Sequence, residues 1–117
     1  MSERSEELPA EDKKLVTLAR ATRARTGAAE GAAVRDSDGR TYAAATVVLP
    51  SLQISALGVC VAMAVASGSK GLEAAVVLGS AGSVADADLA AVRDFAGVGV
   101  VVHRGDAKGA VAETLSS

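Results

Sequence analysis

The sequence predicts an α/β fold: three layers, α/β/α, around a mixed sheet, with the element order α-β-β-α-β-α-β. Three observations carry this. A charged segment with helical spacing opens the chain, two strand-like runs flank an Asp-Gly pair, and two short valine-rich runs then alternate with helical stretches. Half of the 117 residues are apolar, and 26 alanines and 16 valines supply most of them. Small side chains bury little area each, at roughly 25 cal/mol per Å². Such a core therefore demands close approach of helix to sheet, and further burial between subunits. The length fits one domain, expected over residues 11–117 behind a flexible N-terminal segment, residues 1–10.

The first helix starts after Pro9, which a first turn tolerates, with Glu11 and Asp12 at the positive end of its dipole. Leu15, Leu18, Ala19 and Thr22 recur at helical spacing, and Thr26-Gly27 ends it behind basic Arg23 and Arg25. Two strands follow, Ala32–Arg35 and Thr41–Leu49, around Asp36-Ser37-Asp38-Gly39, whose glycine supplies the positive φ of a hairpin turn. Pro50-Ser51 stops the second. Leu52–Ser67 is apolar nearly all round and too long for a strand, so it reads as a buried helix closed by Gly68. Leu72–Leu78 reads as an interior strand, Ser80–Ser83 as a loop, and Asp86–Phe95 as a helix with Leu89, Val92 and Phe95 or Ala96 inward. Val98–Val102 is a further interior strand. Ala110–Leu115 is either an edge strand or a short last helix. The two parallel-type crossovers put helices on the faces of a mixed sheet.

Composition excludes several classes of function. A net charge of −2 is not that of a globally basic nucleic-acid binder. The single cysteine, Cys60, allows neither an internal disulfide nor a multi-cysteine zinc or iron–sulfur site. Apolar stretches fall short of the ~20 residues that cross a bilayer, and the N-terminus lacks the apolar run of a secretory signal. A cytoplasmic protein without membrane contact is the expectation.

Several local strings, in this order, resemble the small tetrameric cytidine deaminases. Glu30-Gly31-Ala32-Ala33-Val34 matches that family's first strand, and Asp38-Gly39-Arg40-Thr41-Tyr42 its hairpin and second strand. Counting back from Gly68 places its Cys-Ala-Glu-Arg helix start on Ser55-Ala56-Leu57-Gly58. Its Pro-Cys-x-x-Cys loop aligns from Asp94-Phe95 back to Val84-Ala85-Asp86-Ala87-Asp88. The resemblance implies an α/β/α fold and a site of three zinc ligands with a glutamate that shuttles the proton. In this chain the ligand positions carry Ser55, Ala85 and Asp88, and the shuttle position carries Leu57. Serine is a poor zinc ligand at neutral pH, alanine is none, and leucine moves no proton. Taking Cys60 as the helix ligand instead shortens the helix and still leaves the cysteine pair missing. Where the family's second strand ends in Asn-Val-Glu-Asn to hold a ribose, this chain has Thr46-Val47-Val48-Leu49, with Thr46 and Val48 at altered pocket positions. The expectation is a catalytically inactive member with a binding or assembly role and no cofactor.

The remaining features have plainer readings. Cys60 reads as a small buried side chain, and His103, lacking partners at ligand spacing, as a solvated strand-end residue. Gly79–Ser83 sits where phosphate loops sit, yet it lacks their lysine, and Asp86 and Asp88 would repel an anion, so it reads as a close-packed turn. Lys13, Arg20 and Arg23 share the outer face of the first helix, the candidate interaction surface for an RNA or a protein partner. Without interleaved aromatics, base stacking is not expected. The all-round apolar helix Leu52–Ser67 predicts a homo-oligomer, dimer or tetramer. Alternative functions are an RNA- or ribosome-associated module using the basic helix, a non-catalytic nucleoside sensor, and a related enzyme with a site remodelled around Ser55, Asp86 or Asp88 and His103.

Overall fold

A computed structural model describes residues 8–117 of the chain. Residues 1–7 of the expected N-terminal segment lie outside the described residues. The first helix, α1 (Ala10–Thr26), starts after Pro9 and ends on Gly27 in the left-handed conformation (φ 68°), whose N–H reaches the Arg23 carbonyl at 2.9 Å. Strands β1 (Glu30–Asp36) and β2 (Thr41–Ala45) form the hairpin, with Gly39 at φ 87°. The Asp36 carboxylate accepts the turn N–H groups of Asp38 and Arg40, both at 2.9 Å.

The second strand departs from expectation. It ends at Ala45, and Val47–Leu49 (β3) pairs with Leu52–Ile54 (β4) in a separate small hairpin. Pro50-Ser51 turns this hairpin instead of ending a long strand. The helix α2 therefore spans only Ala56–Ala66, and the apolar run from Leu52 divides between strand and helix at Ser55. Strand β5 (Leu72–Gly79) and helix α3 (Asp86–Ala96) follow as expected. Strand β6 is Val101–Gly105, later than predicted, because Gly97 and Gly99 both take positive φ and hold residues 97–99 in a turn. The ambiguous C-terminal segment is an edge strand, β7 (Val111–Ser116).

The main sheet runs β2-β1-β5-β6-β7. β5 is parallel to β6, and both β2 and β5 run antiparallel to the β1 strand between them. Both helical crossovers thus join parallel strands, as expected. On one face Leu57, Cys60 and Ala64 of α2 and Val92 of α3 pack over Ala32, Val34, Ala75, Val77 and Val102. On the other, Leu15 and Ala19 of α1 pack over Ala33, Ala74, Val76 and Leu78. Gly31 permits that second contact: a Cβ there would stand 2.3 Å from the Ala19 carbonyl oxygen.

The α1 face also holds a buried polar bridge. His103 is 3% exposed in the middle of β6, not solvated at a strand end, and its Nε2 lies 2.8 Å from Asp12 Oδ2 of α1. Its Nδ1 pairs with Thr114 Oγ1 at 2.9 Å. Arg35 reaches the other Asp12 oxygen at 3.0 Å, a charge contact without hydrogen-bond alignment, and donates to Glu73 at 2.8 Å. Of the Gly79–Ser83 loop only Gly79 is close-packed: a Cβ there would stand 2.9 Å from the Ala29 carbonyl oxygen, whereas residues 80–83 are exposed and a Cβ on Gly82 would meet nothing within 4 Å.

Candidate functional site

Two helix starts meet at one end of the sheet. Ser55 caps α2: its backbone is extended and its Oγ accepts the Gly58 N–H at 3.0 Å. Ala85 occupies the same position before α3 and offers no side-chain cap. Asp88 stands in the first turn of α3, where the helix dipole favours a carboxylate, and its N–H returns to the Ala85 carbonyl at 3.0 Å. The Ser55 hydroxyl donates to Asp88 Oδ1 at 2.6 Å, joining two positions 33 residues apart. The structure therefore brings Ser55, Ala85 and Asp88 together. Leu57, the second residue of α2, is fully buried in the apolar core.

Glu30 joins this group, and sequence reasoning missed it. It opens β1 on the same sheet face as Ala32, two residues on, which points it toward α2 and α3. Burial, and then the charge of Asp88, push the Glu30 carboxyl above its ordinary range. Strand alternation counted back from the buried Ala32 was the available signal. Thr46 closes the same end: its Oγ1 accepts the Glu30 N–H at 3.0 Å, so its hydroxyl is committed to the sheet edge. Val48 lies on β3 and is 72% exposed, away from any buried pocket wall.

The other candidates lie apart. His103 sits on the α1 face of the sheet with Asp12, so it does not join Ser55 and Asp88. Cys60 is buried in the α2 core, and burial pushes its thiol up to about 12, an unreactive thiol at neutral pH. Lys13 and Arg20 are exposed on α1, whereas Arg23 is half-buried. Among the described residues no three His, Cys, Asp or Glu side chains cluster as metal ligands would, and no helix is long and apolar enough to cross a membrane.

The geometry has counterparts among known proteins. The family model described as cytidine deaminase-like matches residues 8–109. A cytidine deaminase structure from Burkholderia pseudomallei superposes with a TM-score of 0.78 at 21% identity, covering 89% of this chain and 91% of that one. The Mycobacterium leprae cytidine deaminase superposes at 0.71, with 18% identity over 92% and 94% of the two chains. The Mycobacterium tuberculosis enzyme gives 0.69 at 21% identity over 80% and 85%. No curated protein matches the chain in sequence. At these identities the likeness of structure is a likeness of fold.

Proposed function

The chain belongs to the cytidine deaminase-like family, and we propose that it carries this fold without zinc-dependent deamination, serving a binding or assembly role. One observation carries the reading. Where two helix starts converge, the side chains are a hydroxyl, a methyl and a carboxylate, and the hydroxyl and carboxylate already bond to each other at 2.6 Å. A catalytic zinc centre takes three nitrogen, thiolate or carboxylate ligands and leaves a position open for water. This set offers one carboxylate, so the residues do not fit such a centre. The shuttle position adds an isobutyl group that is fully buried in the core.

The experiment installs what is missing. Wild-type protein is expected to bind no stoichiometric zinc and to form no uridine from cytidine in an ultraviolet assay. The triple variant Ser55→Cys, Ala85→Cys, Asp88→Cys is expected to bind one zinc per chain, since the three positions share one end of the fold. Zinc and turnover in the wild type would overturn the reading, and a triple variant that folds without taking up metal would overturn the register.

Assembly is supported by apolar surface. Val48, Leu49 and Leu52 of the β3–β4 hairpin are 72, 54 and 49% exposed, and Val65 of α2 is 51% exposed. A single chain leaves part of the apolar helix uncovered, which a second copy would bury. A second reading, a remodelled acid–base site, is favoured by Glu30, whose carboxyl is raised by burial and by the charge of Asp88, and by the hydrogen bond from the Ser55 hydroxyl to Asp88. It requires that Glu30→Gln and Asp88→Asn each abolish whatever turnover the protein shows.

A further inference from the structure

Apart from the convergence of helix starts, an open cleft of about 440 Å³ lies between the end of α1, the exit of β5 and the β6–β7 turn. It is lined by Arg23, Ala29, Ser80, Asp106, Ala107 and Lys108. Arg23 is held there by close packing: its Cβ lies 2.7 Å from where a side chain on Gly31 would begin. The Arg23 Nε is cut off from solvent, yet no acceptor reaches it. A buried donor left unpaired costs about 1–3 kcal/mol, and because water does not reach this nitrogen, a ligand in the cleft meets Arg23 through its terminal guanidinium nitrogens. Lys108 brings a second cation from the turn, and Ser80 brings a hydroxyl. The turn is rigid where it matters. Asp106 Oδ1 accepts the N–H groups of Lys108 and Ala110 at 2.9 and 3.0 Å, and Oδ2 takes no part in those bonds.

We infer that this cleft binds a small phosphorylated polyol, its phosphate held by Arg23 and Lys108 and a hydroxyl by the Asp106 carboxylate. Two cations face one carboxylate, which favours an anion, and a guanidinium fork with an ammonium is the donor set that phosphate oxygens take. The alanines at 29 and 107 leave room for carbon framework without adding polar groups that need partners. Asp86 and Asp88, which would repel an anion at the start of α3, belong to the opposite face of the sheet, with α2. The site is independent of the lost or kept zinc chemistry.

Isothermal titration with inorganic phosphate, ribose 5-phosphate and ribose tests this. Saturable millimolar binding is expected for ribose 5-phosphate and none for ribose. Phosphate binding as tightly as ribose 5-phosphate would remove the polyol part of the assignment and overturn it. Lys108→Gln, an exposed position, should weaken the sugar phosphate roughly five- to tenfold, the worth of one charge-assisted contact. Lys70→Gln, at the far end of β5, should leave binding unchanged. No saturable heat with the sugar phosphate, or equal affinity in Lys108→Gln, would overturn the site.

Discussion

Asp36 has no solvent-accessible surface, yet its carboxylate stays charged because four donors point at it. The Ser69 hydroxyl donates at 2.5 Å, Tyr42 Oη at 3.2 Å, and the Asp38 and Arg40 N–H groups at 2.9 Å. The Ser69 bond foremost, with the turn N–H groups, holds this carboxyl below its ordinary value of 3.8. A carboxyl depressed in the folded state adds stability that is complete above its unfolded value and is lost as pH falls through the folded one. Urea unfolding should therefore show full stability above about pH 4–5 and a decline below it. Asp36→Asn should flatten that decline, and parallel curves for the two proteins would refute the assignment. Leu57 makes the converse case. Replacing it with glutamate, the residue of the resembled family, puts a charge into a fully buried site. Leu57→Glu should cost about 3–5 kcal/mol at pH 7, as uncompensated buried charges do, and less at pH 4 where the carboxyl takes a proton. Thermal denaturation at both pH values reads this out.

At the scale of elements, α1 is set by close approach and by one polar bridge. Gly31→Ala would place a Cβ 2.3 Å from the Ala19 backbone, which no rotamer relieves, so the helix must shift. A loss of about 1–3 kcal/mol is expected, the usual cost of overpacking, measured by denaturant titration. The Asp12–His103 bridge ties the first turn of α1 to β6, and Asp12→Ala would strand a buried histidine. Ser55→Ala removes the cap of α2 and the partner of Asp88 together, for about 1 kcal/mol. Sequence patterning found these helices but misplaced some borders, because a continuous apolar run such as Leu52–Ser67 carries no period that separates strand from helix.

At the scale of the molecule, small side chains shape how the surface is used. The apolar hairpin β3–β4 and the exposed side of α2 remain uncovered in one chain of 11.6 kDa. Light scattering at micromolar concentration should give a multiple of that mass. Val48→Lys with Leu49→Lys should move it toward the single-chain value while circular dichroism stays unchanged. A single-chain mass in the wild type would remove assembly from the proposed role.

The sequence by itself determined the layered fold, the Asp-Gly hairpin, the capping glycine of α1, and the start of α3 at Asp86, which puts Asp88 in its first turn. Those are local properties, or periodicities, and they need no partner to be read. Only the tertiary structure decided that Ser55 bonds Asp88, that Glu30 feels the charge of Asp88, that His103 is buried against Asp12, and that Arg23 lines a cleft. Each depends on which residues distant in sequence meet across the sheet, and strand register and helix docking, not composition, fix that.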